Sequence, residues 1–377
     1  MTIPMTDLTE QYRALKPEID EAIQSVLNTG AFILGDEVKS FERAVADYTG
    51  VSEAVGVASG TDALLLALLA CGIGEGDEVI TTPFSFIATS ESIARTGATP
   101  IFVDIEPDTL DIDPRAVATA ITPRTKAIVP VHLYGQSCDM TSLMSLARTH
   151  NLRVVEDCAQ AQGATWQGQQ VGSFGDCGCF SFFPSKMLGA YGDGGLVTTN
   201  NADVAERLRV LRNHGAKTKY YHDTNGFNSR LDSLQAAILS VKLQHLPEWI
   251  QKRRAIAALY ADAFDKMAGV DVLGRNPYAD HVFNYYTVRV DGAAARRDSL
   301  AAHLKDNGIA NAIYYPKPLH VQEVYARLGH EMNDFPNAAL ASQQVVSLPI
   351  YPEMTPDQVT QVTSTVASFK GFKYIGE

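Results

Sequence analysis

Lys186 is the residue of this sequence best suited to covalent chemistry. It lies in the run FSFFPSKMLGAYGDGG (residues 180–195), which holds no other basic residue and sets the lysine between aromatic side chains and glycines. An amine in such surroundings can stay partly neutral and attack a carbonyl carbon. The alternative is a surface lysine whose stem covers apolar groups, the commoner role of lysine. The context favours the nucleophile.

Asp157 follows an apolar strand in the run VVEDCAQ (residues 154–160). In a parallel sheet, ligands bind beyond the carboxyl ends of the strands. A buried carboxylate needs a partner, so Asp157 could hold a cationic ring nitrogen. It could equally cap a loop or pair with a lysine.

The tetrapeptide Ser59-Gly60-Thr61-Asp62 stands between a strand and an apolar helix. The first turn of a helix offers free N–H groups to an anion, and a glycine lets the anion approach the backbone. The alternative is that Thr61 or Asp62 only caps the helix.

An anion seat, a strand-end acid and an isolated lysine together match the needs of pyridoxal 5'-phosphate. This cofactor requires a site for its phosphate, an acid for its pyridinium nitrogen and a lysine for its Schiff base. The order of the three along the chain is that of the large domain of aspartate-aminotransferase-like enzymes. The Walker loop, Gly-x-Gly-x-x-Gly, His-Glu-x-x-His and Gly-x-Ser-x-Gly motifs are absent from the sequence. No metal is expected, since Cys177 and Cys179 fit small core side chains better than ligands.

The elements that would position these residues form an α/β pattern. Short apolar runs alternate with helical patterns through residues 54–155, which predicts a mostly parallel sheet covered by helices on both faces. Prolines predict helix starts at Pro17 and Pro247. We therefore expect an N-terminal arm and a large domain in residues 1–246, and a small α/β domain in residues 247–377.

Composition narrows the partners and the compartment. The 377 residues carry 31 Lys and Arg against 43 Asp and Glu, a net charge of -12, which disfavours nucleic acid and anionic lipid. The longest apolar run, residues 63–73, is well short of the roughly 20 residues that span a bilayer. No secretory signal is visible, and five cysteines fit a reducing compartment. The sequence predicts a cytoplasmic protein.

The sequence resembles the DegT/StrS group of nucleotide-sugar aminotransferases over nearly its whole length. The motifs that carry the resemblance are Gly35 in FILG, GTDAL (60–64), PFSF (83–86), ITPRTKAI (121–128), Glu156-Asp157, SFFPSK (181–186) and NSRLD (228–232). The resemblance implies fold type I of the pyridoxal-phosphate enzymes, with a mostly parallel seven-stranded sheet in the large domain. It also implies a homodimer with shared active sites.

The resemblance assigns roles to individual residues. It implies Lys186 for the Schiff base, Asp157 for the pyridinium nitrogen, Gly60, Thr61 and Ser181 for the phosphate, Phe86 for the ring face, Gln160 near the ring hydroxyl, and Asn228 of the partner subunit for the phosphate. Some relatives replace the lysine by histidine and are dehydratases. Because this chain keeps Lys186, transamination is favoured.

The resemblance further implies an L-glutamate donor and a nucleotide-linked keto-sugar acceptor. The motifs FPSK, GAYGDGG and YPKPL (315–319) resemble those of enzymes that aminate the 3-position. The nearest substrate is UDP-2-acetamido-2-deoxy-3-oxo-glucuronic acid, used for cell-surface polysaccharide such as O-antigen. Arg230 is then a candidate for the sugar carboxylate, with Tyr315 and His320 as further substrate contacts. Tyr314 stands where those relatives often carry histidine.

Three alternatives remain open. The acceptor could be a dTDP-3-keto-6-deoxyhexose aminated at C3, or a 4-keto-6-deoxy nucleotide sugar aminated at C4. A protein that binds the cofactor without catalysis, as a regulator, is the third.

A basic segment, residues 207–222, stands out in an otherwise acidic chain. It could supply the positive charge that a sugar diphosphate needs. The alternative is a solvated helix face and loop.

Overall fold

The structure is a computed structural model that describes residues 2–374, with side chains up to residue 372. The helices are α1 Leu8–Thr29, α2 Asp36–Thr49, α3 Gly60–Ala70, α4 Ile87–Arg95, α5 Pro114–Ala120, α6 Met140–His150, α7 Ala202–Leu211, α8 Ser233–Phe264, α9 Ala294–Asp306, α10 Pro336–Gln344 and α11 Pro356–Ala367. The strands are β1 Glu53–Val57, β2 Glu78–Thr81, β3 Thr99–Phe102, β4 Thr125–Val129, β5 Arg153–Asp157, β6 Thr165–Trp166, β7 Gln169–Gln170, β8 Cys177–Ser181, β9 Gly195–Thr199, β10 Ala216–Thr218, β11 Tyr221–His222, β12 Met267–Ala268, β13 Val270–Val272, β14 Ala279–Asp280, β15 Tyr286–Val290, β16 Val345–Leu348 and β17 Lys373–Tyr374.

A seven-stranded sheet in the order β1-β9-β8-β5-β4-β2-β3 forms the centre of the large domain. The pairs from β8 through β5, β4 and β2 to β3 are parallel, and β9 runs antiparallel to both of its neighbours. The predicted fold class, a mostly parallel α/β sheet of seven strands, is confirmed. In the register of β5 with β8, Asp157 lies opposite Cys179, so the acid and Ser181 reach the same edge of the sheet.

Helix α3 is apolar all round because the sheet and other helices enclose it. Seven of its eleven residues are buried, and it packs against β8, β9, α4 and α7. Its N-cap is Ser59, whose Oγ accepts the Asp62 N–H at 3.1 Å. The alternative reading, that Thr61 or Asp62 caps the helix, is therefore wrong, since both lie inside the first turn.

The two prolines lie inside helices, so the predicted starts at Pro17 and Pro247 are wrong. Helix α1 is capped by Asp7, which accepts the Glu10 N–H at 3.0 Å, and α8 is capped by Asp232, which accepts the Gln235 N–H at 2.9 Å. Residue 246 lies within α8, which packs on α1 and α2 at one end and on α11 and β13 at the other. The continuous helix therefore joins the two predicted domains.

The C-terminal part is built on an antiparallel sheet, β13-β15-β16, covered by α9, α11 and the end of α8. The N-terminal arm reaches into it. Ile3 is buried in the same apolar cluster as Tyr260 and Ile309. The Ile3 N–H donates to Gly308 O at 2.8 Å, and the Ala310 N–H donates to Ile3 O at 2.9 Å. Among the described residues, no helix is both long and apolar enough to cross a membrane.

Candidate active site

A cavity of about 340 Å³ lies where β5 and β8 end, beside the first turns of α3 and α4. Eight of the residues predicted from sequence line it, namely Gly60, Thr61, Phe86, Asp157, Gln160, Ser181, Lys186 and Tyr315. The fold thus brings together segments that are distant along the chain.

Lys186 is presented by a tight loop between β8 and β9. Its own N–H donates to Phe183 O at 2.9 Å, and the Ala190 N–H donates to Phe182 O at 2.8 Å. A Cβ at Gly189 would lie 2.1 Å from Pro184 O, so only glycine closes this loop. Burial lowers the pKa of Lys186 to about 8, while the Asp157 carboxylate acts in the opposite direction. A sizeable share of the amine is therefore neutral near pH 8.

Asp157 is the last residue of β5, and its carboxylate is buried. Its Oδ2 accepts the Thr89 hydroxyl at 2.8 Å, and its Oδ1 accepts the Ala159 N–H at 3.1 Å. Burial raises the pKa of Asp157, and the two hydrogen bonds and Lys186 oppose that rise. Within the described part of the chain no cation forms an ion pair with it. A cationic group in the cavity would supply the missing partner.

Gly60 opens the first turn of α3 directly beside Ser181. A Cβ at Gly60 would lie 2.6 Å from Ser181 Cβ, and a Cβ at Gly195 would lie 2.2 Å from Ser59 O. The backbone can approach this closely only because both positions are glycine. The first turn of an eleven-residue helix offers free N–H groups and the positive end of the helix dipole. This corner of the cavity therefore suits an anion.

Gln160 is fixed at both ends of its amide. Its Oε1 accepts the Tyr134 N–H at 2.7 Å, and its Nε2 donates to the Tyr315 hydroxyl at 2.9 Å. Tyr285 and Tyr314 extend this wall, with their ring centres 4.4 Å apart. Phe86 precedes α4 and is exposed at the opening. One wall of the cavity is therefore aromatic, and the Gln160 amide beside it is held at a fixed place.

Asn228, Arg230 and His320 do not line the cavity. Asn228 is exposed, and Arg230 Nη1 donates to Asn213 Oδ1 at 3.2 Å. Between them, Ser229 Oγ donates to Asp62 Oδ2 at 2.6 Å, so the segment passes the first turn of α3. His320 packs outside the cavity, with its ring centre 4.7 Å from the ring centre of Phe335. The site within one chain is therefore assembled without these three side chains.

Several cations of the basic segment are committed to groups within the chain. Arg209 pairs with Glu53 at 2.5 Å, and Lys217 pairs with Glu206 at 2.9 Å. Arg212 is buried, pairs with Glu42 at 2.5 Å and donates to Gly56 O at 2.7 Å. These cations compensate local acids and carbonyls, and they do not line the cavity.

Sequence reasoning missed the roles of Thr89 and Ser85, which line the cavity next to Asp157. Thr89 lies in α4, 68 positions before the carboxylate that it contacts. The sequence signal is the group of three hydroxyl residues in α4, namely Thr89, Ser90 and Ser92.

His132, Glu156 and Cys158 lie close enough together to resemble a metal site. The Glu156 carboxylate already accepts the N–H groups of Gly172, Phe174 and Gly175, each at 2.9 Å, and faces His132 Nε2 at 3.1 Å. The His132 Nδ1 accepts the Cys138 N–H at 3.1 Å. A hydrogen-bonded network therefore accounts for this cluster.

Residues 13–367 match the DegT/DnrJ/EryC1/StrS aminotransferase family. The chain is 49% identical to the "Pleiotropic regulatory protein" of Geobacillus stearothermophilus, covering 98% of this chain and 99% of that one. It is 46% identical to the UDP-N-acetyl-3-dehydro-alpha-D-glucosamine 3-aminotransferase of Acidithiobacillus ferrooxidans, covering 97% of each. The crystal structure of S. venezuelae DesV, in complex with a ketimine intermediate, is 44% identical, superposes with a TM-score of 0.94 and covers 97% of each chain.

Aminotransferases of this family depend on pyridoxal 5'-phosphate. The observed cavity fits this group in three respects. It has an anion corner at Gly60 and Ser181, a buried carboxylate at Asp157 that forms no ion pair with any described residue, and an amine at Lys186 with a lowered pKa.

A lysine amine with this pKa can bind an aldehyde carbon and can exchange a proton at neutral pH. The match in sequence, in overall structure and in the content of the cavity leads to one conclusion. The chain is an aminotransferase that belongs to the DegT/DnrJ/EryC1/StrS family.

Proposed function

We propose that this enzyme transfers the amino group of L-glutamate to C3 of a nucleotide-linked 3-keto sugar. The first candidate acceptor is UDP-2-acetamido-2-deoxy-3-oxo-glucuronic acid, and the product would supply a cell-surface polysaccharide such as O-antigen. The carrying observation is that the Lys186 amine and the Asp157 carboxylate share one cavity beside an anion seat. The relative from A. ferrooxidans, which is named as a 3-aminotransferase of a UDP-linked 3-dehydro sugar, supports the position of attack.

Pyridoxal phosphate, when bound, supplies an aldehyde and an electron-accepting ring for the carbon that bears the amine. In this proposal Lys186 holds the aldehyde through its amine. When it is free, it moves a proton at the donor Cα, first as a base and then as an acid. Asp157, ionised, holds the proton on the ring nitrogen, so that the ring stays a good electron acceptor.

The remaining cavity residues would bind and orient the cofactor and the sugar. The N–H groups of Gly60 and Thr61 and the hydroxyl of Ser181 would hold the phosphate. Phe86 would cover one face of the ring and exclude water. Gln160 would lie near the ring hydroxyl, and Tyr315, fixed by its hydrogen bond to Gln160, would contact the sugar.

Arg230 is our candidate for the C6 carboxylate of the sugar. Among the described residues its buried Nε has no hydrogen-bond partner, and its Nη1 donates to the neutral amide of Asn213. A free guanidinium binds a carboxylate through two parallel hydrogen bonds. The acceptor of the A. ferrooxidans relative has a hydroxymethyl group in place of that carboxylate, which makes it the decisive competing substrate.

A panel of acceptors tests the function. The enzyme is incubated with glutamate and four acceptors: the 3-oxo-glucuronate, its 3-dehydro-glucosamine counterpart, a dTDP-3-keto-6-deoxyhexose and a dTDP-4-keto-6-deoxyhexose. The position of the new amine is read by NMR. Turnover of the glucuronate that falls at least about tenfold in Arg230→Met, while turnover of the 3-dehydro-glucosamine counterpart does not, supports the proposal. If the enzyme prefers another acceptor, that acceptor replaces the glucuronate as the proposed substrate. If the protein binds the cofactor but turns over none of the four acceptors, the result favours the regulatory alternative.

We further propose a homodimer in which Asn228 of each subunit completes the phosphate site of the other. Asn228 is exposed and lies outside the cavity of its own chain. Large apolar side chains are also exposed at Phe32, Ile33, Tyr220 and Tyr221, as a subunit interface requires.

Coexpression tests the shared site. Hybrid dimers of Lys186→Ala and Asn228→Ala should contain one native site and regain activity that neither variant has alone. Light scattering gives the mass, and a monomer that is fully active would contradict the dimer.

The cysteines are all free thiols, which supports our placement of the reaction in the cytoplasm.

A further inference from the structure

Two hydroxyl side chains form a short chain behind Asp157. Ser85 Oγ lies 2.8 Å from Thr89 Oγ1, and Thr89 Oγ1 lies 2.8 Å from Asp157 Oδ2. All three residues are nearly closed to solvent, with exposures of 3%, 1% and 5%. Water therefore has little access to replace these bonds.

The direction of the hydrogen bonds follows from the number of protons. An ionised Asp157 only accepts, so the single hydroxyl proton of Thr89 is donated to it. Thr89 can then only accept from Ser85, which must donate. With the Ala159 N–H on Oδ1 at 3.1 Å, both carboxylate oxygens are held from the protein side.

We propose that Thr89 is a positioning residue which, supported by Ser85, holds the Asp157 carboxylate ionised and correctly oriented for the pyridinium nitrogen. The inference rests on the proposed function of Asp157 and goes beyond it by naming the group that keeps this buried carboxylate ionised and oriented. Hydrogen bonds to an ionised acceptor are among the strong ones. Without the hydroxyl, Oδ2 would be buried and unsatisfied.

The surroundings of Asp157 contain other groups that affect its charge. The titratable side chains near its carboxylate are Lys186 from the lysine loop, His132 after β4, Glu156 and Cys158 beside it in the chain, Cys179 on β8 and Tyr315. Burial raises the pKa of Asp157, and the hydrogen bond from Thr89 is the largest influence that lowers it. Loss of this bond should therefore raise that pKa.

The test uses four variants of the complete enzyme. Thr89→Val keeps the shape and removes the hydroxyl, Thr89→Ser restores a hydroxyl, and Ser85→Ala removes the supporting donor. Ser90→Ala is the matched control, because it removes a buried hydroxyl of the same helix that bonds Ile87 O. Thermal unfolding of each variant shows that it is folded.

Two measurements are made on each variant. The first is the affinity for pyridoxal phosphate, followed by absorbance. The second is the pH dependence of the rate at which glutamate alone converts the bound cofactor to its amine form. We expect Thr89→Val to lose about tenfold to a hundredfold in rate, the effect of one charge-assisted hydrogen bond, and its acid limb to move to higher pH. Ser85→Ala should show a smaller loss, and Thr89→Ser should stay near the wild type.

A Thr89→Val variant that matches Ser90→Ala in cofactor affinity, rate and acid limb would overturn the proposal. A uniform loss of rate with an unmoved acid limb and no rescue by Thr89→Ser would also overturn it, since it would indicate only a packing defect. If the wild type binds the cofactor but aminates no sugar, the proposed function fails. The cofactor titrations would still decide the role of Thr89.

Discussion

Lys186, which is partly buried, and Lys242, which is buried, meet at the same loop. Lys186 belongs to the loop and lines the cavity with Asp157, whereas Lys242 reaches the loop from α8 and donates to Gly189 O. The ring centre of Tyr191 lies 5.0 Å from the Lys242 ammonium. Burial lowers the pKa to about 8 for Lys186 and to about 7 for Lys242.

The comparison teaches that a lowered pKa does not by itself make a nucleophile. Lys242 is only 1% exposed, and its amine is already bound to a carbonyl and covered by an aromatic ring. Lys186 has free space in front of it and an acid in the same cavity. Access to a ligand separates the reactive lysine from the structural one.

Lys186→Ala should have the largest effect on the reaction. Loss of the amine removes both the anchor and the proton carrier, and we expect turnover to fall by about a thousandfold or more. Turnover is measured by chromatography of the amino sugar, with circular dichroism as the control for folding. If the variant kept a substantial part of the wild-type rate, Lys186 could no longer be distinguished from Lys242 as the reactive lysine.

Asp157→Asn should have the next largest effect. The carboxamide keeps the size of the side chain but cannot hold a charged ring nitrogen, so turnover should fall by about a hundredfold. Affinity for pyridoxal phosphate, measured by absorbance titration, should fall as well. An unchanged rate would mean that the cavity of Lys186 needs no acid.

Chemical labelling compares the two lysines directly. Only the neutral amine reacts with an amine reagent. With a pKa of about 8, Lys186 should therefore react about tenfold faster at pH 9 than at pH 7 in cofactor-free protein. Lys242 should stay unlabelled at both values because it is enclosed. Mass spectrometry of the peptides gives both rates, and equal labelling of Lys242 would contradict the comparison.

Lys242→Met should affect stability with a small effect on turnover. Folding lowers the pKa of Lys242 from 10.5 to about 7, so the unfolded chain binds more protons between these values. The free energy of unfolding of the wild type should then rise with pH in this range, by about 2 kcal/mol more than that of Lys242→Met between pH 7 and 9. Urea unfolding at both pH values measures this. Lys252→Met, an exposed lysine of the same helix, is the control and should behave as the wild type does.

The sequence was sufficient to predict the α/β class and eight of the residues that meet in the cavity. Strand ends before Asp157 and around Ser181 lie in adjacent parallel strands, and that placement follows from general rules of sheet construction. The order of the strands and the antiparallel position of β9 could not be predicted, because they depend on pairing between segments distant in sequence.

The two proline-based helix starts failed for a physical reason. Proline at the first turn of a helix costs nothing, but an internal proline is tolerated where packing outweighs the lost hydrogen bond. In α8 the residues before Pro247 include Leu239, Leu243 and Leu246, all buried. Asp7 and Asp232 then provide the caps.

The roles of Asn228 and Arg230 stay predictions, since both lie outside the cavity of their own chain. Thr89 shows the opposite case, a residue without any motif that the fold sets against Asp157. The sequence around a hydroxyl residue in a helix does not indicate which group that hydroxyl will contact in the folded protein.

The bridge between Ile3 and Ile309 has a consequence for synthesis of the protein. Ile3 is synthesised long before Gly308 and Ala310, the two residues whose backbone groups pair with it. The strands of the large sheet also precede these two residues in the chain, since the last of them ends at Thr199. Ile3 therefore stays without these backbone partners until all strands of the large sheet have been synthesised.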